Sequence, residues 1–386
     1  MVCKCDLVSV LGVLLVLTIF HTPIVFAENN VPLVALFTFG DSNYDNGNKV
    51  FLSVNQNPPQ TMWPYGKSLD DPIGKFSDGD IVPDFIADFM SIPDGGIPPA
   101  LKPGVNLTRG ASFAVADASI LGSPVESMTL NQQVALFGAI KSNWTDSYIE
   151  KSMFMIYIGM EDYLNFTKFN PTADGSAQQA FVISVINRLQ SDIGLLYGMR
   201  ARKFMVQMLP PLGCLPIVKQ DYKTGGECYE PLNDLAKQHN AKLGPMLNQF
   251  ALTSSGFQFT VFDFYSSIIR RLQRPFTYRY LETNISCCGI GTHNAFGCGA
   301  SNVHSKLCEY QRSYLFFDGR HNTEKAQEQL AHLIYGANPN VVQPMTLREL
   351  ITFPTGANMR EFWEPKKSSL RRRRPSNDPN IGFSAY

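Results

Sequence analysis

Val34-Ala35-Leu36-Phe37-Thr38-Phe39-Gly40-Asp41-Ser42-Asn43 is the stretch on which the reading of this chain turns. Its first six residues are apolar except for one threonine, the pattern of a strand buried on both faces. Gly40 then permits a sharp turn that leaves the Ser42 hydroxyl at the carboxyl edge of a sheet, where open α/β folds place their ligands. Near the other end stands Asp318-Gly319-Arg320-His321, ahead of an amphipathic stretch over residues 324–334. A serine hydroxyl is a poor nucleophile until a base takes its proton. A histidine does this best when a carboxylate fixes its tautomer and steadies the imidazolium. Asp318 and His321 fall on one expected turn or loop, leading into a helix that Thr323 is placed to cap. Ser42, His321 and Asp318 are therefore a candidate triad. Each motif alone is common, Asp-x-x-His as a helix-start pair and Gly-Asp-Ser as a turn; their combination points to nucleophilic catalysis.

Other apolar or β-rich runs recur at long spacing, over residues 112–115, 153–158, 203–209 and 257–262. Helical stretches lie between them, over residues 177–196 and 229–252. Strands separated by helices predict a parallel sheet covered on both faces. No internal repeat or Gly/Ser linker divides the chain, so one large domain over residues 28–364 is expected. From residue 365 to 386 the sequence turns basic and proline-containing, with Arg371-Arg372-Arg373-Arg374 at its centre, a composition that cannot pack a core and reads as a mobile tail. Such a tail is a solvated segment, a tether to an acidic partner or a processing site.

The amino-terminal residues bear on compartment. Lys4, the apolar run from Leu7 to Phe20, and Val25-Phe26-Ala27 read as a secretory signal peptide over residues 1–27. The run is short of the roughly 20 apolar residues of a membrane span. Cleavage there removes Cys3 and Cys5 and leaves Cys214, Cys228, Cys287, Cys288, Cys298 and Cys308, an even set suited to an oxidising lumen. Six cysteines allow 15 pairings, although the cluster from Cys287 to Cys308 suggests a locally stapled loop. Its spacing, with His293 and His304 nearby, matches no zinc pattern, and neither metal nor organic cofactor is expected. Asn106, Asn143, Asn165 and Asn284 head glycosylation sequons. With 33 basic and 33 acidic residues, the balance implies neither a nucleic-acid nor a membrane partner.

Further motifs carry a resemblance: Trp63-Pro64-Tyr65-Gly66, Gly74-Lys75-Phe76-Ser77-Asp78-Gly79 and Leu209-Pro210-Pro211-Leu212-Gly213-Cys214, co-linear with the Ser42 and Asp318 motifs. Together they resemble the plant GDSL esterases and lipases of the SGNH hydrolase superfamily, over nearly the whole mature chain. The resemblance implies a three-layer α/β/α, flavodoxin-like fold with a central parallel sheet. It also implies hydrolysis of an acyl ester by a secreted enzyme through an acyl-enzyme: Ser42 attacks, His321 serves as base and then acid, and Asp318 orients His321. Oxyanion donors are then the Ser42 amide, a backbone amide from the second family block and an asparagine side chain from the third.

Two departures from the family pattern touch those donors. Ser112-Phe113-Ala114-Val115-Ala116-Asp117 stands where Asn-Phe-Ala-Ser-Gly-Gly is usual, leaving the Ala116 or Asp117 amide as the expected donor. Met160-Glu161-Asp162-Tyr163 puts Glu161 where the asparagine belongs. Ionised, Glu161 repels the developing charge; protonated, it donates; turned away, it satisfies a local bond. Removing one such donor costs roughly 100- to 1000-fold in rate. Gly-Met-Glu-Asp-Tyr, the Cys287-Cys288 loop and the long tail are most similar to the myrosinase-associated and epithiospecifier-modifier branch. That likeness implies lumenal complexes with a β-glucosidase of myrosinase type and a lectin, and residence outside the cell, in the vacuole or in bodies derived from the endoplasmic reticulum. A carbohydrate deacetylase is a third reading. Trp63, Tyr65 and Phe76 are read as packing residues ahead of a sugar platform.

Overall fold

Five apolar runs become the parallel core of one sheet. In the computed structural model they are β1 (Leu36–Gly40), β2 (Gly110–Ser112), β3 (Met153–Tyr157), β4 (Lys203–Gln207) and β5 (Gln258–Phe262), each buried along its whole length. Full burial explains why they read as continuous apolar runs and not as alternating ones. The structure describes residues 34–52, 58–70, 74–93, 96–336, 340–357 and Met359. The expected signal peptide and basic tail lie outside the described residues.

A two-residue antiparallel ribbon, β6 (Cys288–Gly289) with β7 (Lys306–Leu307), stands apart from the sheet. A short strand, β8 (Val342–Gln343), closes the far edge, giving the order β2-β1-β3-β4-β5-β8. All neighbours pair parallel except β5 with β8. This is the flavodoxin-like order with an added edge strand. The chain reverses its direction of progress at β1, so the carboxyl ends of β1 and β3 border the crevice where such sheets place their sites.

Helices cover the sheet in two groups. α2 (Leu130–Ile140), α4 (Gly175–Gly198) and α5 (Glu230–Thr253) pack in succession, joined by α3 (Met160–Phe169). α1 (Val82–Phe89) packs on α7 (Glu324–Tyr335), which meets α8 (Leu347–Thr352). α6 (Phe264–Gln273) follows β5. The result is the expected three-layer α/β/α architecture. Edge-to-face and stacked rings of Phe37, Phe39, Phe113, Phe137, Phe154 and Trp144 knit β1 and β3 to α2.

Local differences from the sequence reading have physical causes. The second strand begins at Gly110, two residues before the apolar signal, because its Gly-Ala-Ser start is fixed by pairing to β1. The ladder then continues through Phe113 and Val115, whose amides donate to Thr38 and Gly40. Thr323 does not cap α7; its hydroxyl donates to the Tyr314 carbonyl, and the Asp78 carboxylate accepts the Glu324 amide in its place at 2.8 Å. The motif Gly74 to Gly79 thus serves as a remote cap for the helix behind His321.

Three disulfides form: Cys214–Cys228, Cys287–Cys308 and Cys288–Cys298. The last two staple the expected local loop. Among the sequons, Asn106, Asn143 and Asn284 are exposed, whereas Asn165 is half-buried within α3 and its side-chain amide nitrogen is buried without a partner.

Candidate active site

Ser42 owes its position to a close approach of two chains. A side chain at Gly40 would place its Cβ 2.1 Å from the Tyr157 carbonyl oxygen of β3, so only glycine fits at the end of β1. The Gln133 side chain of α2 holds that end from the other side, accepting from the Gly40 amide at 2.9 Å and donating to its carbonyl at 2.8 Å. The Asp41 carboxylate then accepts the Asn43 amide, which fixes the turn carrying Ser42.

His321 arrives on a second tight turn. Gly319 packs so closely on the Ala295 carbonyl, 2.2 Å from an ideal Cβ, that a larger residue is excluded. Asp318 Oδ1 accepts the backbone amides of Arg320 and His321, both at 2.8 Å, so the carboxylate organises its own turn. His321 Nδ1 lies 2.7 Å from Asp318 Oδ2, and His321 Nε2 lies 2.7 Å from Ser42 Oγ. The three residues named from the sequence are therefore brought into one hydrogen-bonded chain, and all three are buried.

The sequence reading missed a fourth member. Tyr65 is 253 positions away from Asp318, yet its hydroxyl donates to Asp318 Oδ2 at 2.7 Å. Its ring packs edge-on against Phe76 and Phe317 and in one cluster with Cys287, Cys288 and Cys298. Phe76 in turn lies against the His321 ring, with centroids 4.7 Å apart. Tyr65 and Phe76 are thus packing residues of the site itself, whereas Trp63 is 57% exposed and stands outside that packing. Burial pushes Asp318 up, but His321, the Arg320 amide and the Tyr65 hydroxyl together outweigh it and hold the carboxyl below its usual range.

Three further carboxyls sit behind the nucleophile. Asp45 accepts the amides of Gly47, Asn48 and Lys49, and Asp162 accepts those of Ile120 and Leu121. Burial dominates over these bonds and pushes Asp41 up to about 8, Asp45 to about 6 and Asp162 to about 7.

The anion-binding side differs from expectation. The Ala116 amide is not a free donor: it is spent on Asp45 Oδ2 at 2.8 Å. Asp117 follows with φ 63°, a left-handed conformation uncommon outside glycine, and its amide donates to no group among the described residues. The Ser42 amide is likewise unengaged among the described residues. Of the backbone amides expected there, those of Ser42 and Asp117 are thus the ones left open among the described residues. Glu161, at the start of α3 and 4% exposed, neither faces a neutral donor nor turns away; Arg320 Nη1 bonds its Oε1 at 2.6 Å. Burial raises the Glu161 carboxyl, and Arg320 opposes that shift. Nothing in the spacing of Glu161 and Arg320, 159 positions apart, announces the pair.

A serine, histidine and aspartate joined in this order at the carboxyl edge of a parallel sheet define a serine hydrolase of the three-layer α/β/α class. The chain belongs to the family of GDSL-like lipases and acylhydrolases, whose pattern it matches over residues 36–334. It is 72% identical to the GDSL esterase/lipase ESM1 of Arabidopsis thaliana over 99% of this chain and 98% of that protein. It is 61% identical to GDSL esterase/lipase 22 of the same plant, and 63% identical to its inactive GDSL esterase/lipase-like protein 23, each over 99% of both chains.

Proposed function

We propose that this chain is a secretory-pathway hydrolase of carboxylic esters that works through an acyl-enzyme on Ser42. The observation that carries the reading is the 2.7 Å contact between Ser42 Oγ and His321 Nε2, with Asp318 behind the ring. Ser42 Oγ attacks the acyl carbon as His321 takes the hydroxyl proton. The tetrahedral intermediate collapses, and His321 returns that proton to the departing alcohol. A water, deprotonated by the same nitrogen, then attacks the acyl carbon; the carboxylic acid leaves and the serine hydroxyl is restored. Asp318 keeps Nδ1 protonated and Nε2 free to accept. The amides of Ser42 and Asp117 stabilise the oxyanion. Membership of the family and the esterase/lipase names of similar proteins support the reaction class. Three disulfides and the exposed Asn106, Asn143 and Asn284 support a lumenal setting.

The test is labelling by a fluorophosphonate, which bonds to an activated serine with loss of fluoride, together with hydrolysis of short acyl esters. Wild type is expected to do both, and Ser42→Ala neither. Equal hydrolysis by wild type and Ser42→Ala refutes the reading.

A second reading is favoured by Glu161 beside the hole and by the inactive name borne by one protein 63% identical. In it the protein acts mainly as a glycoprotein partner of a β-glucosidase and a lectin. Its test is co-purification from native tissue: an assembly containing both supports it, and elution as a lone monomer counts against it.

A further inference from the structure

Arg320 ties together the two halves of the site. Its backbone amide donates to Asp318 Oδ1 at 2.8 Å, and its side chain bonds Glu161 at 2.6 Å. Glu161 is almost wholly buried, and Arg320 is its one side-chain partner among the described residues. Asp117, whose open amide points to an oxyanion role, also places its carboxylate within the electrostatic reach of both residues. That carboxylate is itself held by Lys49 Nζ at 3.1 Å. Two acidic side chains, Glu161 and Asp117, thus lie within electrostatic reach of one another, Glu161 also within that of His321, and each has its own cation.

The arrangement poses a charge problem. Hydrolysis builds negative charge on the former carbonyl oxygen, and an uncompensated, buried carboxylate nearby opposes it. Burial alone cannot dispose of the Glu161 charge, because a buried carboxylate needs a partner or a proton. Arg320 supplies the partner. It does so from inside the Asp318 turn, so the residue that neutralises Glu161 is positioned by the same carboxylate that orients His321.

We propose that Arg320 is a positioning residue for ester hydrolysis: by pairing with Glu161 it cancels a carboxylate at the oxyanion site and keeps that site able to receive negative charge. The proposal rests on the ester-hydrolase reading above. It makes Arg320 necessary only because Glu161 is present, and it turns an apparent defect of the hole into a compensated pair.

The experiment is a double-mutant cycle on the full mature protein, read by kcat and KM on p-nitrophenyl acetate and by the rate of fluorophosphonate labelling. Arg320→Gln leaves Glu161 unpaired and is expected to lower kcat and labelling by roughly 100-fold, with KM little changed, about the loss of one oxyanion donor. Glu161→Gln with Arg320→Gln removes both charges and is expected to recover to within about tenfold of wild type. A merely structural role gives losses that add in the double variant, and it lowers thermal stability in step. Arg320→Lys keeps the charge and retains most of the activity, which covers the case in which Arg320→Gln does not fold. The proposal is overturned if Arg320→Gln matches wild type, if the double variant is no better than Arg320→Gln, or if Arg320→Lys is as impaired as Arg320→Gln. A wild type with neither Ser42-dependent hydrolysis nor labelling brings down the ester-hydrolase reading, and this inference with it; an active wild type that is insensitive to Arg320 brings down the inference alone.

Discussion

The proton-transfer side and the anion-binding side of the site are built on opposite principles. Ser42, His321, Asp318 and Tyr65 form one chain of short hydrogen bonds, backed by ring packing and two disulfides. Asp318 and His321 are each held by more than one neighbour. On the anion-binding side, the Ser42 and Asp117 amides are open among the described residues, the Ala116 amide is spent on Asp45, and the Glu161 and Asp117 carboxylates are balanced by cations. The proton-transfer side is over-determined by geometry, whereas the anion-binding side is settled by charge. A fold can therefore hold a triad in register while its capacity for turnover is adjusted a few ångströms away.

The largest effect that sharpens this contrast belongs to the triad. Ser42→Ala and His321→Ala are each expected to lower kcat by about 10,000-fold or more without loss of folding, as stopped-time ester assays will read. Next comes the stapled loop. Replacing Cys288 and Cys298 together by serine is expected to cost about 2–4 kcal/mol in thermal or denaturant unfolding, and also to reduce kcat, because Tyr65 packs on that bridge. An undiminished kcat in the folded variant would detach the loop from the triad.

Smaller, and more diagnostic, is Tyr65→Phe. A hydrogen bond to a charged group contributes about 1.5–3 kcal/mol, so kcat is expected to fall by roughly tenfold or more with KM unchanged. Without the phenol, Asp318 also loses one of the hydrogen bonds that hold its carboxyl below the usual range. Smallest is Ala116→Gly. Because that amide serves Asp45, hydrolysis should stay at the wild-type rate while stability drops by about 1 kcal/mol or less. A marked change in rate would return Ala116 to the hole.

How much of this was legible depends on range. β1, β3, β4 and β5 announce themselves because burial on both faces demands unbroken apolar residues, and Ser42, Asp318 and His321 stand out because their chemistry has few uses in combination. β8 is two residues long and exists through its pairing with β5, so no local pattern marks it. The Asp78 cap on α7 and the Tyr65 bond to Asp318 span 246 and 253 positions. Thr323 had the right local chemistry for a cap and lost to a carboxylate that only the folded chain delivers. Glu161 was visible as a departure from the family pattern, but its meaning lay in Arg320, which sequence spacing cannot bring to it.

The buried carboxyls of Asp41, Asp45 and Asp162 make the folded protein a store of protons. Each carboxyl titrates near its ordinary value of 3.8 once unfolded but near about 8, 6 and 7 when folded. At these three carboxyls the native state therefore binds more protons than the unfolded chain across that interval, so their contribution to stability is greatest at the acidic end and drains away as pH rises through those folded values. It is opposed at the acidic end by buried His239, whose imidazole is held down from 6.5 to about 3. Thermal unfolding should release protons and begin at lower temperature at about pH 8 than at about pH 5. A protein so constituted is at its most durable in a mildly acidic fluid, and alkalinity reaches it first through the floor beneath its nucleophile.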